Sequence, residues 1–395
     1  MKSSSLHHYL FGYELPDTVL VLTKDGNCFI SAAKKKCEFL QGAVGNVPED
    51  SNIVSVTLLV RNKSDGNEEN LSKLLDEAMK CKGENDEKVK IGVLLKEWGL
   101  NAKGKNPVVS GWQQKIDSEK EAIETVEVSV GLGHVMAIKD KKELDFLKKS
   151  SVLSNKVLKH FFIKRLETIM DEDEKISHEN FSTEVDSKIE DPSQMNIKVS
   201  RDIVSSAYFP IIQSGGEYDL KVSAQPTNKE LKYDIITVSF GSRYEHYSSN
   251  IARTFLVDPP KSVTANYELL LLVQEACLSK MRVGKSFNSV YNAAIEKLRS
   301  EGREELVKCL PKNLGFSIGL DFRDGALLLS PKNNTKFRTG MAFNLSIGFS
   351  GIKLSSRDKS ESKADSTVRV KCHHVQVYPS VFSHSPFLSL AIIYR

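Results

Sequence analysis

The chain has 395 residues, of which 40% are apolar and 27% charged, and its formal net charge is +4. This length allows two or three domains with their own cores. So small a net charge argues against a protein that wraps nucleic acid. None of the six cysteines forms a C-x-x-C pair, which does not fit a secreted disulfide framework. The apolar runs are far shorter than the ~20 residues of a membrane-spanning helix. We therefore expect a soluble, intracellular protein without a membrane partner.

The first third of the chain alternates short apolar runs with charged stretches, which is typical of an α/β domain. Residues 18–23 are rich in β-formers and end at the turn signal Asp25-Gly26, and residues 28–30 resume the run. This pattern predicts a β-hairpin. The other elements predicted in this part are strands at 53–60 and 89–94 and a helix at 70–80. Trp98 and Trp112 are predicted to be core residues, and the basic run 34–36 to be solvated.

The rest of the chain groups its helices and strands in blocks, which predicts an α+β domain. A long helix begins near Lys141 and ends at the acidic run 171–174, which is interpreted as solvated, and Ser177 is a candidate N-cap of a second helix. The remaining predicted elements are strands at 203–212, 235–241 and 248–257, helices at 264–281 and 286–299, and strands at 315–319, 326–329 and 341–349. Residues 355–366 form a polar linker.

Residues 236–255 contain the most informative pattern of the sequence. They resemble the hairpin signature of the pita-bread metallopeptidase superfamily, in which two aspartates eleven positions apart bridge two divalent metal ions. The corresponding residues are Ser239 and Asn250. The resemblance extends to a Gly-x-x-x-Gly turn with Phe316 at the position of a histidine ligand. Arg323 follows at the position of a substrate-contacting histidine, and Ser346 stands for a glutamate ligand.

The residue types at these positions cannot replace the ligands that the superfamily uses. Two adjacent divalent cations need carboxylates and imidazole to balance charge and complete their coordination. Serine, asparagine and phenylalanine supply neither group. We therefore expect no catalytic residue, no metal ligand and no cofactor, because fold does not carry activity over. The alternative is a metal-dependent aminopeptidase or dipeptidase with an altered site.

Five segments resemble the N-terminal, aminopeptidase-like region of the FACT histone chaperone large-subunit family. They are residues 9–18, 212–221, 249–255, 319–324 and 341–349. The resemblance implies a non-catalytic histone-binding module, nuclear and chromatin-associated, that acts in nucleosome disassembly and reassembly during transcription, replication and repair. It implies core histones as partners and no sequence-specific nucleic acid binding. In this family a small HMG-box subunit docks on another domain, which we expect to be absent from this chain.

The resemblance also predicts the domain organisation. Residues 1–138 are an N-terminal α/β lobe, in which the opening helix and strand of the family are expected to be missing. Residues 139–363 are a pita-bread aminopeptidase-like domain. Residues 364–395 are an atypical tail, interpreted as not native to the family and lacking its closing strand. A truncated product without a stable function is a third interpretation of these ends.

A few other residues are candidates for contacts. Arg243, Tyr244 and Arg323 line the cleft by motif position, although Arg243 and Tyr244 fit packing within the hairpin equally well. The group Cys372, His373, His374 and His384 has the residue types of a metal site. It lacks a further ligand at tight spacing, so a metal site is disfavoured there.

Overall fold

The structure is a computed structural model that describes residues 1–45, 47, 51–62, 66–84, 86–101, 107–216, 218–219, 221, 223–353, 367–377 and 393–394. The chain divides into two compact units, Met1–Leu132 and Gly133–Arg395. The boundary expected at Lys139 lies slightly later than this division. The division falls inside the helix Ser129–Ala137, whose last residue packs in the core of the second unit. Within the described residues no helix is long and apolar enough to cross a membrane.

The first unit is built from short strands and helices. In chain order they are α1 (Lys2–Phe11), β1 (Val19–Leu22), β2 (Asn27–Ala32), α2 (Lys34–Val44), β3 (Ser55–Val60), α3 (Glu68–Met79), β4 (Val89–Val93), α4 (Leu95–Asn101), α5 (Pro107–Ser118), β5 (Ile123–Glu127) and α6 (Ser129–Ala137). Strands β1 and β2 form the predicted hairpin, β3 pairs parallel to β2, and β4 pairs parallel to β5. The predicted strands and helix are confirmed, whereas α1, α2, α4, α5, α6 and β5 were not predicted.

The core of the first unit forms on the apolar face of α3. Leu71, Leu74 and Leu75 lie three and four positions apart, so one helix face carries all three into the core. Trp112 is buried in the same cluster and Trp98 packs half-buried against it. The predicted core role of both tryptophans is confirmed.

The second unit combines two antiparallel-rich sheets with long helices, as expected for an α+β domain. Its elements are α7 (Lys141–Val157), α8 (Ile163–Asp171), α9 (His178–Glu190), β6 (Val204–Gln213), β7 (Ile235–Tyr244), β8 (Tyr247–Ser248), β9 (Ile251–Val257), α10 (Lys261–Lys280), α11 (Phe287–Ser300), β10 (Gly315–Ser317), β11 (Ala342–Lys353), β12 (Thr367–Val377) and β13 (Ile393–Tyr394). One sheet has the order β13-β9-β7-β6 with β8 beside β7, and the other has the order β10-β11-β12.

Strand alternation decides which side chains of this unit enter the core. Val238 and Phe240 of β7 pack in one apolar cluster with the helical residues Phe162 and Phe181, whose rings stack 4.9 Å apart. Phe343 belongs to a second cluster, which includes side chains of α10 and α11. Because successive side chains of a strand point to opposite faces, the residues between these apolar positions face the other way. The candidate site is built from them.

The ends of the helices α7 and α9 follow the sequence signals. Asp140 and Glu143 form a reciprocal capping box at the start of α7. The Ser177 hydroxyl accepts a hydrogen bond from the backbone N–H of Asn180, which confirms the predicted N-cap of α9. In the acidic run that ends α8, Glu174 forms an ion pair with Arg165.

Two predictions about strands are wrong. Residues 326–329 form no regular strand. They meet β10 through an isolated bridge between Phe316 and Leu328 and a few backbone hydrogen bonds, while the Asn333 amide donates to the backbone oxygens of Ala326 and Leu328. The expected loss of a closing strand is also wrong, because β12 pairs antiparallel along β11 from Ala342 to Lys353. The free edge of β11 accepts this strand although its sequence alternates only briefly. The predicted linker 355–366 lies outside the described residues.

Candidate functional site

The residues at the expected ligand positions come from four strands. Ser239 lies on β7, Asn250 directly precedes β9, Phe316 lies on β10 and Ser346 on β11. Ser239 is 5% exposed, Asn250 3% and Phe316 4%. On β11, Ser346 shares a face with Asn344, which lies opposite Phe316 in the register of β10 and β11. Side-chain contacts through Tyr208 and Phe322 connect Ser239 and Asn250 with Phe316, and Ser346 lies on the strand face of Asn344, opposite Phe316. We call this group of residues the cleft.

Tyr208 of β6 joins the first two of these positions. Its hydroxyl oxygen lies 2.5 Å from Ser239 Oγ and 2.5 Å from Asn250 Oδ1. A tyrosine has one hydroxyl proton, so Tyr208 donates to Asn250 and accepts from Ser239. Burial raises the pKa of Tyr208 well above its ordinary value, so the hydroxyl stays protonated and remains a donor. Tyr208 belongs to no motif. The available signal was an aromatic residue with a polar hydroxyl in the predicted strand 203–212.

An aromatic wall continues from Tyr208 to the position of the missing histidine. The Tyr208 ring packs edge-on against Phe322 at 5.1 Å, and Phe322 lies 5.6 Å from Phe316. The guanidinium carbon of Arg323 lies 5.6 Å from the centre of the Phe316 ring, in cation–π contact. Arg323 is exposed. This part of the cleft is apolar and carries a positive charge at its rim.

Asn344 is the unusual polar residue of the cleft. Its side chain is fully buried, and neither its Oδ1 nor its Nδ2 has a hydrogen-bond partner in the part of the chain that the structure describes. An unsatisfied buried amide costs free energy. No sequence motif singled it out, because its burial depends on the strands on either side of it.

These residues do not fit a pair of divalent cations. Tyr208 already satisfies Ser239 and Asn250, Phe316 fills the histidine position with a ring, and Asn344 could offer only a neutral amide. Within the described residues there is no group of three or more His, Cys, Asp or Glu side chains that could hold a metal ion. The donor set lacks the anionic oxygens that such cations require.

The structure places Arg243 and Tyr244 in packing contacts. The Arg243 guanidinium donates to the backbone oxygen of Ala207 at 3.2 Å, and burial lowers its pKa. The Tyr244 ring packs against Phe146 of α7 at 5.9 Å. Both side chains are therefore engaged in contacts outside the cleft. Cys372, His373 and His374 lie on β12, but their side chains and all of His384 lie outside the described residues, so that metal hypothesis stays untested.

Serine hydroxyls hold the hairpin of the cleft against α7. Ser150 donates to the backbone oxygen of Ser242 at 2.7 Å. Ser154 lies 3.0 Å from the Ser242 hydroxyl and 2.8 Å from that of Ser249, the residue before Asn250. All four serines are buried. A satisfied buried hydrogen-bond network favours one arrangement. This network therefore fixes the end of β7, and the residue before Asn250, against α7.

Comparison with known proteins identifies both units. A model of the metallopeptidase family M24 matches residues 145–372. A model described as the FACT complex subunit SPT16 N-terminal lobe domain matches residues 1–131. The M24 match extends into β12. Beyond residue 372, the interpretation of the tail as not native to the family stays a prediction.

Three similar proteins illustrate the relationship. The FACT complex subunit SPT16 of Dictyostelium discoideum is 32% identical over 364 residues, which are 92% of this chain and 33% of that protein. The chain thus spans about a third of the length of the curated relatives it matches. The structure of the N-terminal domain of SPT16 from Cicer arietinum matches with a TM-score of 0.85 and 28% identity, over 96% of this chain and 85% of that one.

The X-Pro aminopeptidase of Thermotoga maritima has a TM-score of 0.63 at 14% identity, over 95% of this chain and 90% of that one. At that identity the likeness shows the fold alone. It confirms the expected pita-bread arrangement of an N-terminal lobe followed by a peptidase-like domain. The chain therefore belongs to the metallopeptidase family M24, and it corresponds to the N-terminal region of the FACT complex SPT16 subunits.

Proposed function

We propose that this chain is a non-catalytic histone-binding module of a FACT complex. The observation that carries the proposal is the hydroxyl of Tyr208, which bridges Ser239 and Asn250 where the peptidases of this fold hold metal ions. With Ser239 and Asn250 bonded to Tyr208, and phenylalanine and serine at the other expected ligand positions, the cleft offers no carboxylate or imidazole to activate water.

The family supports the rest of the proposal. The similar curated proteins are named as FACT complex subunits, and FACT is a histone chaperone. We therefore propose core histones as partners, a nuclear and chromatin-associated location, and a role in nucleosome disassembly and reassembly during transcription, replication and repair. We propose that the small HMG-box subunit docks outside this chain and that nucleic acid is not read by sequence.

Histone binding is tested with the purified chain and the two core-histone subassemblies of the nucleosome, the tetramer and the dimer. Biolayer interferometry at increasing salt should show saturable binding to at least one of them. Lysozyme, a basic protein without a histone fold, is the control for charge. Binding that is no tighter to either histone subassembly than to lysozyme would contradict the histone-binding proposal.

The lack of catalysis is tested separately. The purified chain with manganese, cobalt or zinc should release no amino acid from dipeptides or from Xaa-Pro peptides, while an active X-Pro aminopeptidase does so in the same assay. Turnover that co-purifies with the chain and disappears with a chelator would support the alternative, an aminopeptidase or dipeptidase with an altered site.

A further inference from the structure

A groove lies beside α7, and its lining includes neither Tyr208, Ser239 and Asn250 nor Phe316, Asn344 and Ser346. It has a volume of about 350 Å³ and runs between α7 and the segment Ile197–Val199 that precedes β6. Its α7 side is formed by residues at positions 145, 148, 149, 152, 153 and 156, whose spacing brings them to neighbouring turns of one helix side. This volume is large enough to receive a bulky side chain of a ligand.

The floor of the groove is apolar. Val152 and Leu153 form it on the helix, and Ile197 and Val199 form it on the opposite segment. Leu153 is buried and the other three side chains are half-buried. Covering partly exposed apolar side chains with a ligand is favourable, because it removes their apolar surface from water. The floor therefore favours a ligand that brings an apolar group.

The rim of the groove is positively charged. Lys148, Lys156 and Lys198 are exposed, and among the described residues none of them forms an ion pair with a carboxylate. The fourth lysine, Lys149, is paired with Asp145 at 2.8 Å. Because Asp145 is the one carboxylate of the lining and is already neutralised, the groove presents three uncompensated positive charges.

We propose that this groove binds an acidic peptide segment of a protein partner. A bulky apolar side chain of that segment fills the floor, and flanking Asp and Glu side chains pair with Lys148, Lys156 and Lys198. This combination of an apolar anchor and charge complementarity is a recurring mode of peptide recognition. The inference is independent of histone binding, because a basic histone segment would be repelled by these lysines.

The features of the groove favour a peptide over a nucleic acid. Nucleic acid binding gains most of its affinity from many phosphate contacts, whereas this chain carries a net charge of only +4. Bases bind by stacking on free aromatic faces. The one aromatic ring of the lining, Tyr244, already contacts Lys149 at 5.2 Å and Phe146 at 5.9 Å.

The test uses the full chain and a fluorescein-labelled synthetic peptide of Asp and Glu residues with a central Leu-Phe pair. Fluorescence anisotropy should show saturable binding. The triple variant Lys148→Glu, Lys156→Glu and Lys198→Glu should bind the peptide at least about tenfold more weakly, since three charge pairs are lost and reversed. The matched control, Lys261→Glu, Lys312→Glu and Lys332→Glu, makes the same change of net charge at positions outside the groove and should bind like the unaltered chain.

A change on the peptide side keeps the test valid if the groove variant folds poorly, which circular dichroism would reveal. Replacing the Leu-Phe pair by Ser-Ser should weaken binding to the unaltered chain, because the floor is then left uncovered. Equal binding of both peptides, or equal losses in the groove and control variants, would overturn the proposal. Displacement of the peptide by a lower concentration of single-stranded DNA than of unlabelled peptide would assign the groove to nucleic acid instead.

Discussion

The hydroxyl of Tyr208 donates a hydrogen bond of 2.5 Å to Oδ1 of Asn250. It thereby ties β6 to the start of β9, across the intervening strand β7 on which Ser239 lies. The resemblance of residues 236–255 implies metal-binding aspartates at the positions of Ser239 and Asn250 in active peptidases. In this chain the hydroxyl of Tyr208 on β6 joins the two positions by hydrogen bonds between uncharged side chains.

Tyr208→Phe should destabilise the second unit. The substitution keeps the ring and removes the hydroxyl, which leaves the buried polar atoms of Ser239 and Asn250 without this partner. We expect a loss of about 1–3 kcal/mol in the free energy of unfolding, measured by urea denaturation. Tyr13→Phe is the control, because the Tyr13 hydroxyl is buried without a hydrogen-bond partner in the described residues. An equal loss in both variants would show that the bridge contributes nothing specific.

Restoring the two carboxylates alone should not restore a metal site. In the double variant Ser239→Asp and Asn250→Asp, burial and mutual repulsion would raise the pKa of both carboxyls. A carboxyl whose pKa is raised by folding destabilises the protein increasingly as pH rises. We therefore expect a larger deficit in stability at pH 7 than at about pH 4, near the ordinary pKa of aspartate.

Ser239→Asn, which adds similar volume without charge, is the control for that experiment and should show the same deficit at both pH values. Adding manganese should not stabilise the double variant, because Phe316 and Ser346 still provide no ligand. A manganese-dependent rise in the melting temperature would contradict the conclusion that the remaining residues do not fit a metal centre.

Gly241→Ala should damage the hairpin that carries Asn250. A Cβ at Gly241 would lie 2.0 Å from the backbone oxygen of Ser249, so β7 and the turn before β9 would have to separate. We expect a loss of roughly 2–3 kcal/mol, typical of overpacking in a core. Gly325→Ala is the matched control, since a Cβ there meets no atom within 4 Å. Thermal unfolding of both variants compares them; similar midpoints would contradict the predicted clash.

The pairing of Arg165 should appear in the pH dependence of stability. Its guanidinium binds Glu174 and Glu184 at 2.5–3.1 Å and lowers the pKa of Glu174. A lowered folded pKa gives stability that is present above the ordinary pKa of glutamate, about 4.3, and is lost as pH falls through the lowered value.

Arg165→Ala should therefore be less stable than the unaltered chain at neutral pH, and the difference should shrink as the pH falls below about 4. Urea denaturation over a pH series measures it. Arg299→Ala, which removes an exposed ion pair with Glu304, should have little effect at any pH. A constant difference between the Arg165 variant and the unaltered chain across the series would argue that packing, and not charge, is lost.

The sequence by itself determined the local features of this protein and the residue types at the positions that correspond to metal ligands. The β1–β2 hairpin and the buried face of α3 follow from turn residues and apolar periodicity, which act over a few neighbouring positions. The absence of carboxylates at Ser239 and Asn250 was also readable, because both residues belong to one strand-turn-strand segment whose internal spacing is kept.

Only the tertiary structure decided how that cleft is filled. Tyr208 reaches Asn250 from 42 positions earlier in the chain, and the burial of Asn344 depends on its neighbouring strands. The pairing of β12 depended on the free edge of β11, and the basic groove exists because residues 197–199 return to α7. Each of these arrangements joins residues far apart in sequence, so no local propensity encodes them. They form when the packing of the whole unit repays the entropy of bringing distant segments together.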